Sequence, residues 1–433
     1  MAKALALLTI YHLLFFWKAY TKPFSLATSE LLSTFFPTWI WQGKQWSKWR
    51  VPKYENNYWL LPNAHPVTST YYPLGIISSF IFSKKNLDLA FLTFTYFNLL
   101  HFLGASIGWF IFLSWSFHPL IALFGAITFT YQAYPLKQQP CIIYTLAWFP
   151  WIAICPALAI GMILLAGYYP LAIYLLPAGL ILNHDPLAWC LGFLIGSVQL
   201  VPFLRYLPKT IRKQSSELSC PPWEKNFYIG LTPIILLALN FQWRFLWIFT
   251  PMILSYVLRR HLPRIYQRAW ILSAYLAIYF VIQVLGSVPQ TVLFLLLIVQ
   301  CFDLWIHNSA LLPTRPYCEL YQKPSLAFKS TSLVKFLESH LGDNRVSGLP
   351  FPLFTGLINN FRTLGYSGGM QLKLMAKWRN DKDPNGSGEH DYFRSNNDND
   401  ALTRYRVKFA YSRKGISGWM QTRIKHLYRN PAL

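Results

Sequence analysis

IIYTLAWFPWIAICPALAIGMILLAGYYPLAIYLLPAGLIL, residues 142–182, runs without a single Asp, Glu, Lys, Arg or His. An α-helix needs about 20 residues to cross the hydrocarbon of a bilayer, so this stretch is too long and too apolar for a soluble domain. Working outward, similar stretches recur at Ala4–Tyr20, Leu87–Trp115, Pro119–Tyr131, Leu187–Leu204, Ile229–Leu258 and Ala269–Ile306. The whole chain is 54% hydrophobic and only 13% charged over 433 residues, a composition that excludes an ordinary soluble protein. The expected architecture is an all-α polytopic membrane protein with roughly nine to twelve crossings, some short or broken by Pro. Ala4–Tyr20 has Lys3 in front, but Trp17, Lys18 and Tyr20 stand where small residues precede a cleavage site. It therefore reads as a retained first helix.

The apolar character stops between Trp305 and Pro316, which divides the chain into a membrane domain, 1–306, and a C-terminal segment, 307–433, expected to be a small soluble α+β domain. Within it Thr331–His340 reads as an amphipathic helix, and Arg345–Leu349, Gln371–Met375 and Tyr405–Tyr411 read as strands. Asn380–Asp400, rich in Asn, Asp, Gly and Ser, reads as a loop. The six cysteines form no CxxC pair or regular framework, so neither a zinc site nor a disulfide scaffold is indicated.

A formal charge of +23 calls for an anionic partner. In a membrane protein the first candidates are anionic membrane lipids and phosphorylated lipid substrates, ahead of nucleic acid. The basic residues are spread over Lys22–Lys53, Arg259–Arg268 and the tail after Arg315. The first loop, residues 21–70, mixes them with Trp39, Trp41, Trp46, Trp49, Tyr54, Tyr58 and Trp59. Indole and phenol rings favour the headgroup layer, so the loop can be an interfacial anchor. It can equally be a sugar and lipid-phosphate site, with rings stacking on sugar faces and Arg or Lys holding phosphate. Glu30 opens this loop. A carboxylate against an apolar wall can act as the base for an acceptor hydroxyl, whereas Thr28-Ser29-Glu30 is also a plausible helix cap.

Short motifs run in order along the chain: Ser29-Glu30 with Phe35-Phe36-Pro37, Trp49-Arg50-Val51-Pro52, Tyr71-Tyr72-Pro73-Leu74, Thr145-Leu146-Ala147-Trp148-Phe149-Pro150 and Leu165-Ala166-Gly167-Tyr168-Tyr169-Pro170. Gln199-Leu200-Val201-Pro202, Phe302-Asp303-Leu304, Asn344-Arg345-Val346 and Arg362-Thr363-Leu364-Gly365-Tyr366-Ser367 follow. In these the chain resembles the YfhO-like bacterial membrane proteins, relatives of the GT-C class of lipid-dependent glycosyltransferases. The resemblance implies a multi-pass protein of the bacterial cytoplasmic membrane. It implies transfer of a sugar from a polyprenyl-phosphate donor to an envelope glycan or glycolipid acceptor, with the first loop and the tail outside. Glu30 takes the place where those proteins carry Asp, as catalytic base. Arg50 and Lys53 are the candidates for the donor phosphate, with His65, Trp49 and Tyr71 as further substrate contacts. Mg²⁺ or Mn²⁺ suits carboxylate and phosphate oxygens, although Tyr131–Pro140 supplies no second carboxylate.

Polar residues inside apolar stretches are costly and need a reason. Asn98 and His101, on one helix face, read as hydrogen-bonded between helices. His184-Asp185-Pro186 reads as a turn and Asp303 as a cap or ion-pair partner at the membrane boundary. Gly286-Ser287-Val288-Pro289 within Ala269–Ile306 is compatible with two short helices, which put the tail in the cytoplasm, or with one long kinked crossing, which puts it outside as the resemblance implies. A basic-residue count places the first loop and Arg259–Arg268 in the cytoplasm, opposite to what the resemblance implies for the loop. No internal repeat marks a transporter, but a non-catalytic transporter or envelope assembly protein is the alternative to the enzyme.

Overall fold

A computed structural model describes residues 1–22, 35–51, 70–82, 86–133, 140–206, 210–211, 228–240, 243–251, 253, 266–309 and 325. In the C-terminal part it describes 332–341, 345–347, 362–363, 371–372, 407–411, 420–422 and 427–429. The helices are α1 (Ala2–Phe15), α2 (Trp17–Thr21), α3 (Phe36–Trp46), α4 (Pro73–Phe82), α5 (Leu87–Ser114), α6 (Pro119–Tyr131) and α7 (Pro140–Trp148). They continue with α8 (Pro156–Leu165), α9 (Tyr169–Leu182), α10 (Pro186–Tyr206), α11 (Leu231–Leu239), α12 (Tyr266–Leu285), α13 (Gln290–Asn308) and α14 (Ser332–His340). Three of them, over Leu87–Ser114, Pro186–Arg205 and Gln290–Asn308, are long and apolar enough to cross a membrane. Six shorter apolar helices accompany them. The described residues are thus predominantly helical, with helices apolar enough for a membrane.

Proline sets much of this segmentation. Pro119, Pro156 and Pro170 stand in the first turn of α6, α8 and α9, where a missing N–H costs nothing and the fixed φ favours helix. Residues 142–182 accordingly fold as α7, a 3₁₀ turn at Pro150–Ile152, α8 and α9. Gly286–Pro289 separates α12 from α13, the two-helix alternative of the sequence reading. Ile229–Leu258 departs from the expectation of a continuous apolar crossing. Its described residues form the nine-residue α11 and a seven-residue 3₁₀ helix at Trp243–Phe249, each well short of the span a bilayer requires.

The chain divides into two compact units. One comprises Met1–Leu26, Thr95–Leu200 and Gln214–Thr314. Small residues allow close helix packing there. A Cβ on Gly192 would lie 2.6 Å from Ile160 Cβ, and one on Gly196 would lie 2.4 Å from Leu164 Cβ. The Gly192-x-x-x-Gly196 ridge of α10 therefore sits directly on α8, a mode of association suited to lipid, where burying apolar surface gives no driving force. Across Gly104 and Gly108 of α5 lies the Trp151 indole, whose Nε1 donates to the Gly104 carbonyl at 3.1 Å.

The second unit comprises Ala27–Phe94, Val201–Lys213 and Arg315–Leu433. Its helical part pairs α3 with α4, and Phe36 and Trp39 pack on Phe94. α14 buries Leu333, Val334 and Leu337, the stripe expected of its amphipathic sequence. Short strands β1 (Thr210–Ile211), β2 (Arg345–Ser347), β3 (Arg362–Thr363), β4 (Gln371–Leu372), β5 (Val407–Tyr411), β6 (Met420–Gln421) and β7 (Leu427–Arg429) complete it. Five of them form a sheet in the order β3-β2-β5-β7-β6, parallel across β3-β2-β5 and antiparallel beyond. β4 instead pairs with β1. Asn380–Asp400 lies outside the described residues.

Candidate functional site

Every residue from Phe36 to Gly43 is buried. Trp39 Nε1 donates to Ser78 Oγ at 3.3 Å and Gln42 Nε2 to Thr70 Oγ1 at 3.1 Å, which fixes α3 against α4 and the residues leading into it. Trp39 and Trp41 are only 5% and 3% exposed. These two rings, read in sequence as part of an interfacial anchor or a sugar site, are core at α3, because a helix with this much apolar surface buries it against α4. Trp46 packs edge-on against Tyr71, with ring centroids 6.2 Å apart. Burial pushes the Tyr71 hydroxyl above its ordinary pKa.

Beyond α3 the chain turns outward. Trp49 has φ 55°, and its ring is 91% exposed; a left-handed backbone is uncommon for so bulky a residue. The Arg50 amide donates to the Gln45 carbonyl at 3.1 Å, and Lys48, Trp49 and Arg50 all stand exposed. Of the six residues predicted for a donor site, Trp49 and Arg50 are adjacent at this tip and Tyr71 is half-buried against Trp46 in the same unit. Glu30, Lys53 and His65 lie outside the described residues. Among the described residues no three His, Cys, Asp or Glu side chains gather as a metal centre.

Lys44 sits on α3 near the tip. Burial lowers its pKa, Lys48 lowers it further and Glu338 opposes both. Between that lowered value and 10.5 the unfolded chain holds more protons than the folded one, so stability rises with pH across this window. Substituting Lys44→Met removes the rise. Unfolding temperatures taken at pH 8 and pH 10 are expected to differ less for the variant than for the wild type.

Sequence reasoning missed a buried polar chain in the other unit. His12 Nδ1 is 3.0 Å from the Tyr131 hydroxyl and its Nε2 is 2.9 Å from that of Tyr20, although His12 and Tyr131 are almost completely buried. Their only signal is a His inside an apolar run. Asn98 Oδ1 accepts from the Tyr144 hydroxyl at 2.6 Å, across α5 and α7, the interhelical bond expected of it. His101 Nδ1 lies 2.7 Å from the carbonyl of Phe97 in its own helix. The cavity beside His101, lined also by Phe102, Thr130, Ile143, Ala147 and Tyr275, has a volume of about 10 Å³. It accommodates about one water and no sugar.

Three of the described acids, Asp303, Asp185 and Asp88, have structural partners. Asp303 Oδ1 accepts from the Tyr228 hydroxyl at 2.5 Å, and Oδ2 accepts from the Leu231 amide at 2.7 Å, so it caps the start of α11 as a junction residue should. His307 Nδ1 lies 3.1 Å from Oδ1. Gln300 Nε2 donates to the Ile229 carbonyl at 2.9 Å. Gly230, at φ 101°, has no room for a Cβ beside Gln300, which makes glycine a requirement there. Asp185 accepts from the Leu187 amide at 3.0 Å at the start of α10, in the turn expected. Asp88 accepts from the Ser325 amide at 2.9 Å and hydroxyl at 2.7 Å.

Compared with known protein families and with curated proteins, the chain matches none. What fold and composition define is the class: a predominantly helical protein with three helices long and apolar enough to cross a membrane among its described residues, and a basic, aromatic stretch near its start.

Proposed function

We propose that this chain is a membrane glycosyltransferase that moves a sugar from a polyprenyl-phosphate donor to an envelope glycan or glycolipid acceptor. It belongs by this reading among GT-C-like, YfhO-like proteins of the bacterial cytoplasmic membrane, with roughly nine to twelve crossings and a soluble α+β tail. The observation that carries the reading is the Trp49–Arg50 tip. It places an exposed indole and an exposed guanidinium side by side at the end of a buried helix, in the loop that Glu30 opens. Such a pair can stack on a sugar and hold a lipid phosphate.

In this mechanism Glu30 takes the proton from the acceptor hydroxyl as its oxygen attacks the anomeric carbon. The bond to the donor phosphate breaks, and Arg50 and Lys53 stabilise the charge on the leaving phosphate. His65, Trp49 and Tyr71 position the sugar. Carboxylate and phosphate oxygens would also suit a Mg²⁺ or Mn²⁺ ion. Glu30→Gln keeps the shape of the side chain and removes the base. Transfer is expected to fall about 100-fold or more, read as loss of the added sugar from envelope glycan in cells carrying the variant at wild-type abundance. Unchanged glycan composition would reject the enzyme.

A second reading, a non-catalytic transporter or assembly protein, is favoured by one observation. The ionisable groups described inside the bundle are engaged in holding it together, as with His12 on Tyr131 and Tyr20 and Asp303 on Tyr228.

A further inference from the structure

The directions of the helices in the first unit follow from their contacts. Trp109 of α5 stacks on Phe129 of α6 at 4.0 Å, while Gly125 of α6 lies against Leu113 of α5, so these helices are antiparallel. α12 also runs against α6, with Ile282 beside Gly125 and Tyr275 beside Phe129. α13 runs with α6: Gln290 is 3.3 Å from His118 near their starts, Gln300 donates to Thr128, and Asn308 donates to the Tyr131 carbonyl at their ends. α1 brings His12 to Tyr131, and Tyr20 stacks on Tyr96 of α5. α2, α6 and α13 therefore finish, and α12 begins, at one end of this unit, marked by Tyr20 and Tyr131. The turns at Trp115–His118 and Gly286–Pro289 lie at the other.

Charge is divided sharply between these ends. The opposite turns contain no Lys, Arg, Asp or Glu. The segments joined in sequence to the tyrosine end carry Lys22 after α2, and Arg259, Arg260, Arg264 and Arg268 leading into α12. Arg315 and Lys323 follow α13. Lys and Arg within about 15–20 residues of a membrane helix hold that end in the cytoplasm. Trp17 and Lys18, both exposed at the start of α2, suit a layer of anionic headgroups.

We propose that the tyrosine end is the cytoplasmic face and that it binds the anionic phospholipid headgroups of the inner leaflet. The first loop and the C-terminal segment both depart from it. This deepens the transferase reading by naming the leaflet, opposite to the side the family resemblance implies, from which the phosphate of the donor is reached. The orientation itself stands without any enzymatic activity.

The test uses the full chain in bacterial cells, fused after Leu433 to green fluorescent protein or to alkaline phosphatase. It is paired with Ser287→Cys, probed by a membrane-impermeant maleimide against the wild-type cysteine background. Expected are a fluorescent fusion, an inactive phosphatase and labelling of Cys at 287 from outside intact cells several-fold above background. An active phosphatase with a dark fluorescent fusion overturns the orientation, and so does labelling at 287 only after permeabilisation. In nanodiscs at low salt, phosphatidylglycerol is expected to raise the unfolding temperature above that in phosphatidylcholine, and added salt to erase the difference. Equal temperatures in the two lipids overturn the lipid partner. None of these readouts depends on Glu30, so this proposal and the transferase reading can fail separately.

Discussion

Gly196→Leu is expected to abolish the folded state at ordinary growth temperature. The Cβ of any side chain at 196 would meet Leu164 Cβ at 2.4 Å, and that atom is fixed to the backbone of α8, so no rotamer change relieves the clash. α8 and α10 must separate along the Gly192–Gly196 ridge, where Gly192 also sits 3.0 Å, through its notional Cβ, from the Ala157 carbonyl. Overpacking a well-packed site costs about 1–3 kcal/mol and occasionally more. With four added heavy atoms and two helices displaced, about 4 kcal/mol or more is expected, a large part of a typical domain's total stability. Size-exclusion profiles of the detergent-solubilised variant should show aggregate in place of the wild-type peak. Gly104→Ala is the control: a Cβ at 104 meets nothing within 4 Å, and the helix gains from alanine's higher propensity. A monodisperse Gly196→Leu would show that the two helices are not held at the separation described.

Asp303→Leu is the second large effect. The carboxylate accepts from the Tyr228 hydroxyl and the Leu231 amide, and its side chain is only 10% exposed. Hydrogen bonds to charged groups are each worth about 1.5–3 kcal/mol, so losing both and leaving two donors without an acceptor should cost about 3–5 kcal/mol. Asp303→Asn keeps one carbonyl acceptor and should lose about half as much. The ordering Leu below Asn below wild type in unfolding temperature is the expected result. If Asn and Leu proved equally mild, Asp303 would not be fastening α11 to α13. The pair also tests local against global damage, since α11 begins at the residue whose amide Asp303 holds.

The residues that served sequence reading well are those whose meaning is local. Pro119–Tyr131 emerges as α6 with the same limits, since a proline start and an uninterrupted apolar run leave the chain few alternatives in lipid. Gly286–Pro289 divides two helices for the same reason. Asp185 and Asp303 could be read as caps or junction residues from their positions at the edges of apolar runs. The first loop was less legible. Its tryptophans look alike in sequence, yet Trp39 and Trp41 are core while Trp49 is almost fully exposed, and only the pairing of α3 with α4 separates them. Likewise His12 and Tyr131, 119 residues apart, show no pattern that would join them.

Read alone, the amino-acid order shows apolar runs long enough for a bilayer, the proline and glycine positions at which most of their helices break, and which segments carry positive charge. These follow from transfer free energies and backbone chemistry that act residue by residue. Tertiary contacts are what show that α2, α6 and α13 finish and α12 begins at one end of the first unit, and which aromatic rings are core. Those properties depend on contacts between residues far apart in the chain, and helix direction in a bundle is set by packing that no local pattern encodes.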